Sequence, residues 1–295
     1  PIALAIGERA GLSKSGILLA MIGGGKAGNI VSPNPNTIAV TEAFKLDLTA
    51  VMMKNLIPAL CALIATIVLS SLLAKKAGDG ISQNDLEAAP AEKLPNALQA
   101  FAGPLTVIVL LALRPLAKIS VDPLIALPLG GLVCILVTGN IRNLIPYTDF
   151  GLSKVIGVAI LLIGTGTIAG IIKASALQKD MTALLSAMNM PAFILAPLSG
   201  ILMAAATAST TAGSTVASQT FSGTLLAAGV PALSAAAMIH AGATVLDSLP
   251  HGSFFHATGG SVYMDIKNRM KLIPFEALIG LTSTIVAVIL YLVTA

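Results

Sequence analysis

One lysine stands inside a long apolar stretch of this chain, where a charged side chain is costly. The stretch is GILLAMIGGGKAGNIVSPNPNTIAV, residues 16–40, and the lysine is Lys26. A lysine near the centre of a membrane helix costs about 2.5–3.5 kcal/mol, whereas the aliphatic residues of 17–22 return only about 2 kcal/mol. The side chain therefore needs protein or water around it, and a buried ammonium of this kind can bind a carboxylate.

Polar amides and prolines follow this lysine. Ser32 and Asn34 each precede a proline, which disfavours helical backbone at both positions. Asn34 is also a favourable N-cap with Pro35 in the first helical position. We predict a helix that breaks over 23–32 and a second helix that starts at Asn34. The candidate binding residues of this segment are Lys26, Asn29, Ser32, Asn34, Asn36 and Thr37.

A second polar segment, 207–220, is rich in Ser and Thr within an uncharged stretch that runs over 181–246. Its hydroxyls can satisfy backbone groups freed by another helix break, and Gly213 would permit the sharp turn. Non-helical backbone at membrane depth must be buried or line a cavity, and broken helices in transporters direct their positive N-termini at anions. The candidate binding residues here are Ser209, Thr210, Thr211, Ser214 and Thr215.

Each segment alone has a simpler interpretation. Residues 23–36 could be an extramembrane loop, and 204–223 could be a helix interface in which small residues allow close packing. Two such segments in one chain favour a shared pocket instead. The GGGKA motif is not a phosphate-binding loop, because Ala27 stands where that motif requires Ser or Thr.

Few titratable side chains lie in or beside the apolar stretches, and proton coupling would need one of them. Asp247 follows His240 by about two helical turns, which would put both on one face of a continuous helix. The alternatives are a helix cap for the aspartate and interfacial hydrogen bonds for the histidines. The spacing of the last two histidines does not suit a metal site, and we expect neither metal nor cofactor. The proton-coupling candidates are His240, Asp247, His251 and His256.

The composition indicates the elements that must position these residues. Only 10% of the 295 residues are charged and 56% are hydrophobic, too little charge to cover a soluble protein of this size. Uncharged intervals of about 20 residues, the length that spans a bilayer, occur at 55–74, 94–113, 123–141, 155–172 and 277–295. We therefore predict an all-α polytopic membrane protein. The net charge of +4 is spread over short loops, so we expect no nucleic-acid partner.

We predict that the chain is the later portion of a longer membrane protein. The predicted segments are a first region with a broken helix (1–54), a transmembrane helix (55–74), a polar loop (75–95), transmembrane helices (96–180), a second region with a broken helix (181–260), and an amphipathic segment with a final transmembrane helix (261–295). Lys and Arg are nearly equal in alternate loops, so the positive-inside rule does not orient the chain. The cysteines, Cys61 and Cys134, are expected to be packing residues.

Two long blocks resemble the gluconate permease (GntP) family of sugar-acid:proton symporters. They are GGGKAGNIVSPNPNTIAV with the following VMMKNLIPAL, and LPHGSFFHATGGSVYMDIKNRMKLIPFEALIGLT at 249–282. The resemblance covers nearly the whole chain. It implies a multi-pass transporter of the bacterial inner membrane, built from inverted repeats with re-entrant helical hairpins and assembled as a homodimer. The resemblance further implies that 1–295 is part of a transporter domain whose N-terminal third is absent, with re-entrant hairpin regions at 1–54 and 181–260. By that analogy 32–37 and 209–215 are the hairpin tips that hold the substrate.

The expected function is import of a hydroxylated monocarboxylate, gluconate or a related sugar acid, by proton symport. A member specific for D-serine, a passive channel, or a membrane receptor for the same ligands are the alternatives. An enzyme is not expected, because Ser253 beside His251 and His256 is the one candidate nucleophile cluster, and proximity in sequence does not establish a catalytic geometry.

Overall fold

The protein is all-helical over the residues that its computed structural model describes, which are 2–74, 80–81, 96–117, 119, 121–187 and 189–294. Of the structure, 81% is helical, and the described residues form no strand. This confirms the predicted all-α class for the described part of the chain. The predicted polar loop, 75–95, lies outside the described residues except for 80–81.

Fifteen α-helices are described, with short 3-10 helices at Ile141–Asn143 and Ala192–Ile194. In chain order they are α1 (Ile2–Arg9), α2 (Lys14–Asn29), α3 (Pro35–Phe44), α4 (Leu48–Lys54), α5 (Leu56–Ala74), α6 (Ala97–Ala117), α7 (Pro123–Val137), α8 (Leu144–Ala174), α9 (Leu177–Ala187), α10 (Leu195–Thr207), α11 (Thr210–Ala227), α12 (Ala232–Gly242), α13 (Ser253–Ser261), α14 (Ile266–Met270) and α15 (Ile273–Thr294).

The chain divides into two compact units, and the larger one comprises Pro1–Ala88 and Leu161–Ala295. Helix α12 lies at its centre and packs against α10, α11 and α15. Its small residues permit this, since a Cβ at Gly242 would lie 2.5 Å from the carbonyl oxygen of Pro197. Met238 and Ile239 fill the remaining space and are fully buried.

A second cluster of the larger unit forms where α2 packs against α5 and α15. Leu18 and Leu19 of α2 are fully buried there. Gly23 lets the helices approach, because a Cβ at that position would lie 2.3 Å from the hydroxyl oxygen of Thr66. This packing holds the C-terminal half of α2, and with it Lys26, in a fixed place.

The smaller unit, Ala89–Ile160, is built on the pairing of α6 with α7. Gly103 and Gly130 face each other, and a Cβ on either would lie 3.0 Å from the carbonyl oxygen of the other. The apolar side chains of this pair point largely outward, as at Leu98 and Leu124, which are 79% and 78% exposed.

By length and composition alone, two segments of the described residues are long and apolar enough to cross a membrane. They are Leu56–Ala74, with a mean hydropathy of 2.5, and Ile266–Thr294, with a mean hydropathy of 2.2. Shorter apolar helices lie at Ala97–Leu113, Pro123–Val137, Ile163–Ile172, Ala192–Thr207 and Ala232–Gly242. These helices are consistent with a helical membrane protein, and the number of crossings stays a prediction.

The first helix break lies later in the chain than predicted. Helix α2 continues through 23–29, and the break occupies 30–34. Glycine weakens a helix by only about 1 kcal/mol per residue, and the packing of Gly23 against Thr66 offsets this. The predicted cap is confirmed, because Asn34 accepts hydrogen bonds from the backbone N–H groups of Asn36 and Thr37 at 2.9 and 3.2 Å.

The second break is shorter than predicted and does not use Gly213. Helix α10 ends at Thr207, Ala208 adopts a left-handed backbone with φ of 46°, and Ser209 caps α11 by accepting from the N–H of Ala212. Gly213 is helical, and a Cβ there would lie 2.5 Å from the Cα of Ala204. Its role is thus to let α10 and α11 pack closely, and the turn falls at Ala208.

The two breaks also differ in what they join. Helices α10 and α11 pack along each other as the arms of a helical hairpin. Helix α3 packs instead against α11 and α12, while α2 packs against α5 and α15. The first break therefore separates two helices with different neighbours, and the re-entrant hairpin over 1–54 stays a prediction.

The glycines of α11 provide a matched test of this packing. We expect Gly213→Ala to lower the stability by about 1–3 kcal/mol, because the new methyl meets backbone on α10. Gly223→Ala should be neutral or stabilising by about 0.5–1 kcal/mol, because no heavy atom lies within 4 Å of a Cβ there. Thermal unfolding of both variants in detergent measures the difference, and equal melting temperatures would contradict the packing.

Candidate functional site

A pocket of about 390 Å³ lies in the larger unit where both helix breaks converge. This volume is within the range of about 300–1,000 Å³ that is usual for small-molecule sites. Its lining residues are Leu18, Met21, Ile22, Gly25, Lys26 and Asn29 of α2, Asn36 of α3, Ala208–Thr211 at the second break, Asp247, and Ser253, Phe254 and Thr258 of α13. Lys26, Asn29, Asn36, Ser209, Thr210, Thr211 and Asp247 of the predicted set thus come together.

A buried ion pair joins opposite parts of the chain at the wall of this pocket. The Nζ of Lys26 donates to Oδ1 of Asp247 and to the carbonyl oxygen of Thr244. The two charged residues are each only 5% exposed. Since an unpaired buried charge is far more costly than a paired one, each member holds the other in place.

The carboxylate of Asp247 is also held by two hydroxyls. The Oγ1 of Thr210, in the first turn of α11, donates to Oδ2 at 2.6 Å. The Oγ of Ser248 donates to Oδ1 at 3.1 Å. The Asp247 carboxylate, in the segment after α12, therefore contacts both α2 and the second helix break.

His240 and Asp247 would share one face only if a single helix contained both, and this condition is not met. Helix α12 ends at Gly242, and 243–252 runs as turns and irregular backbone. Helix α15 passes very close to this irregular segment at Gly280. A Cβ at Gly280 would lie 2.4 Å from the carbonyl oxygen of Thr244. The irregular backbone turns Asp247 toward the pocket and exposes the Thr244 carbonyl to Lys26.

The amides of Asn29 and Asn36 form a polar corner of the pocket. The Nδ2 of Asn36 donates to Oδ1 of Asn29 at 2.5 Å. The Oδ1 of Asn36 is buried and has no hydrogen-bond partner among the described residues. A buried amide oxygen without a donor is costly, so this atom is suited to accept a hydrogen bond from a ligand.

The N-terminus of α11 is a further polar element. The first turn of a helix leaves backbone N–H groups without intrahelical acceptors and carries a partial positive charge. The Ser209 side chain takes one of these donors, that of Ala212. Thr210 and Thr211 line the pocket from the same turn. Together with Lys26, this helix end makes the pocket favourable for an anion.

Five predicted binding residues do not line the pocket. Near the first break, the amide of Asn34 donates to Ser32 at 2.8 Å, and the hydroxyl of Thr37 donates to the backbone carbonyl of Ser32 at 2.8 Å. In α11, Ser214 and Thr215 donate to the carbonyl oxygen of Thr211 at 3.3 and 2.7 Å. These side chains stabilise the breaks and the helix that border the pocket.

The three histidines also lie away from the pocket lining. His240 is fully buried, and neither of its ring nitrogens has a hydrogen-bond partner among the described residues. His251 and His256 are exposed, and the Nε2 of His256 is 2.8 Å from the carbonyl oxygen of Pro250. Asp247 is thus the one proton-coupling candidate that lines the pocket.

Sequence reasoning missed the α13 side of the pocket and the ion pair behind it. Arg269 pairs with Glu276, each 1% exposed. The guanidinium carbon of Arg269 is 4.7 Å from the ring centroid of Phe255, and its Nη2 donates to Oγ1 of Thr258 at 3.2 Å. The sequence could have indicated this ion pair, because Arg269 and Glu276 are opposite charges seven residues apart in a chain with few charged residues.

Comparison with known proteins places the chain among transporters. It is 56% identical over 291 residues to an uncharacterized transporter of Haemophilus influenzae, a match that covers 99% of this chain and 69% of that protein. The chain belongs to this transporter's family. No protein-family model matches this chain, and no solved structure matches it. The family and the apolar helices together indicate a transporter of the helical membrane class.

Proposed function

We propose that this transporter is a secondary active carrier that imports a hydroxylated monocarboxylate, gluconate or a related sugar acid, together with a proton. The observation that carries the proposal is the pocket itself. One buried lysine, one helix N-terminus and one unpartnered amide oxygen converge in a cavity of about 390 Å³. A carboxylate with neighbouring hydroxyls would complement all three groups.

The carboxylate of the substrate binds Lys26 and the N-terminal turn of α11 in this proposal. An ammonium has three N–H donors, and the described residues supply two acceptors for that of Lys26, the Thr244 carbonyl and Asp247. A donor therefore remains for a ligand. The ammonium and the helix N-terminus can bind an anion once the negative charge of Asp247 is neutralised, and they then favour a monoanion over a neutral sugar.

The hydroxyls of the substrate bind the polar corner in this proposal. The Oδ1 of Asn36 accepts from one hydroxyl, and Asn29, Ser209 and Thr211 supply further polar groups around the cavity. A site built to hydrogen-bond a hydroxyl rejects analogues that lack it, because its buried groups then stay unpaired. Short monocarboxylates without hydroxyls should consequently bind weakly.

The resemblance to the gluconate permease family supports the finer features of the proposal. They are an inverted-repeat architecture with re-entrant hairpins, location in the bacterial inner membrane, and a homodimer. The second break, with α10 and α11 packed as a hairpin, fits one re-entrant element. We propose the first break as its functional counterpart, since Asn29 and Asn36 flank it and line the same pocket.

An uptake experiment in proteoliposomes tests the function. We expect radiolabelled gluconate to accumulate against its gradient under an inward proton gradient, and a protonophore to abolish the accumulation. Equilibration without accumulation would indicate a channel, and binding without flux would indicate a receptor. A thermal-shift screen of aldonates, uronates and D-serine identifies the ligand class, and stabilisation by D-serine alone would redirect the proposal to that amino acid.

The polar corner can be tested by removing its amide. We expect Asn36→Leu to weaken gluconate binding by about 5–150-fold, which corresponds to about 1–3 kcal/mol for a lost buried hydrogen bond. Binding of propionate, which has no hydroxyl, serves as the matched control and should change little. Equal losses for both ligands would mean that Asn36 supports the fold of the pocket and does not recognise a hydroxyl.

A further inference from the structure

We infer that Asp247 is the proton carrier, and that it couples transport by occupying Lys26 whenever the substrate carboxylate is absent. The inference rests on the proposed function and names the coupling device of the same site. It follows from one geometric fact, that the cation suited to bind the substrate is already paired with a carboxylate of the protein.

Competition for the lysine is built into the pocket. Lys26 and Asp247 both line the cavity, and each is only 5% exposed. A substrate carboxylate that reaches the Lys26 ammonium must therefore come close to the Asp247 carboxylate. Two like charges at such a buried site repel strongly, and a proton on one of them removes the repulsion.

Charge balance then decides which states of the carrier are stable. The empty pocket holds one ammonium and one carboxylate and is neutral. The pocket with substrate and a protonated Asp247 holds one ammonium and one carboxylate, that of the substrate, and is neutral as well. Substrate alone leaves one excess negative charge, and a proton alone leaves one excess positive charge. Because an uncompensated charge is costly in a buried, low-dielectric site, the two neutral states are the ones that cross the membrane.

The proton-binding step is simple in atoms and charges. A proton from solution forms an O–H bond with one carboxylate oxygen of Asp247, and no group leaves. Thr210 holds Oδ2 at 2.6 Å, and its hydroxyl can reverse its role and accept from the newly formed O–H. Lys26 keeps the Thr244 carbonyl as a partner, and the N–H that Asp247 vacates joins the free third N–H in binding the substrate carboxylate.

The elements packed around Asp247 offer no competing charge among the described residues. Helices α10 and α11 have no charged residue. Helix α15 contributes Glu276, which is paired with Arg269. On α12, His240 has no polar contact with the pocket, and α2 contributes Lys26 to the pair itself. His251 and His256 are exposed and do not line the cavity.

Titration calorimetry of the purified full chain with gluconate tests the inference. Measurements at one pH in buffers of different ionisation enthalpy give the number of protons taken up per bound anion. We expect about one for the wild type, and an apparent Kd that rises about tenfold per pH unit on the alkaline side. A wild-type value of zero overturns the inference and leaves the proposed substrate class intact. Absence of any sugar-acid binding overturns the proposed function instead.

Asp247→Asn distinguishes this carboxylate from other proton acceptors. The amide imitates the protonated state, so gluconate should bind with zero proton uptake and a Kd independent of pH. Its empty pocket carries an excess positive charge, so the variant should exchange gluconate across vesicles but not accumulate it. Asp265→Asn, an exposed aspartate outside the pocket, is the control and should match the wild type.

A persistent wild-type proton count in Asp247→Asn would overturn the assignment. If that variant does not fold, Asp247→Glu provides the second measurement, because it keeps a carboxylate at a changed distance from Lys26. Its pH midpoint for binding should shift while the proton count stays near that of the wild type. An unchanged midpoint would assign the proton to another group.

Discussion

Replacing Lys26 with Met is expected to abolish sugar-acid uptake and to destabilise the protein. The substitution removes the cation proposed to bind the substrate carboxylate. It also leaves Asp247, which is 5% exposed, without its charge partner. Breaking a buried ion pair by removing one member costs about 3–5 kcal/mol. Uptake in proteoliposomes and thermal unfolding in detergent measure the two effects separately.

A double variant separates the loss of stability from the loss of the substrate cation. Lys26→Met with Asp247→Asn removes both charges, so most of the lost stability should return while uptake stays absent. Lys271→Met removes an exposed lysine outside the pocket and should alter neither property. Uptake at the wild-type rate in a folded Lys26→Met variant would remove the lysine from the proposed site.

Arg269→Met is expected to lower the free energy of unfolding by about 3–5 kcal/mol, since it leaves Glu276 buried and unpaired. Arg269 and Glu276 are both 1% exposed, so solvent cannot replace the lost partner. The variant also loses the cation–π contact with Phe255 and the hydrogen bond to Thr258, a pocket residue. Thermal unfolding in detergent measures the loss, with a second reading taken in the presence of gluconate.

Matched variants identify the cause of this loss. Lys267→Met, which removes an exposed cation from the same short helix α14, should leave the melting temperature within a degree or two of the wild type. Arg269→Met with Glu276→Gln should recover part of the stability, because no isolated charge remains. If the single and double variants unfold alike, the packing of the arginine stem would matter more than its charge.

Local chemistry explains which parts of the two breaks were predictable. The Asn34 cap depends on residues 34–37 alone, so a Pro-rich stretch with a capping residue suffices to place it. The three glycines of 23–25 were expected to interrupt α2, but their weak preference against helix is overridden by packing of Gly23 on Thr66. Gly213 was misread for the same reason, since its close neighbour Ala204 lies on another helix.

The pocket shows which features of the site the sequence can predict and which it cannot. Its polar residue types stand out against an apolar background, which is why seven predicted residues reach the lining. Hydroxyls that bond to their own helix, as at Ser214 and Thr215, look the same in sequence as hydroxyls that face a cavity. Side-chain direction around a helix is set by the neighbours against which it packs, and no local pattern encodes it in a segment where polar residues occupy every face.

By itself, the sequence determined the helical class, the apolar character of the helices, the presence of two polar interruptions and the identity of the charges within them. These properties follow from composition and from interactions within a few residues. Only the tertiary structure decided that Lys26 pairs with Asp247, 221 residues away, and that Thr210 and the Thr244 carbonyl complete the pair. A buried charge needs a partner, but which one it finds depends on how the helices pack, and that is a property of the whole chain.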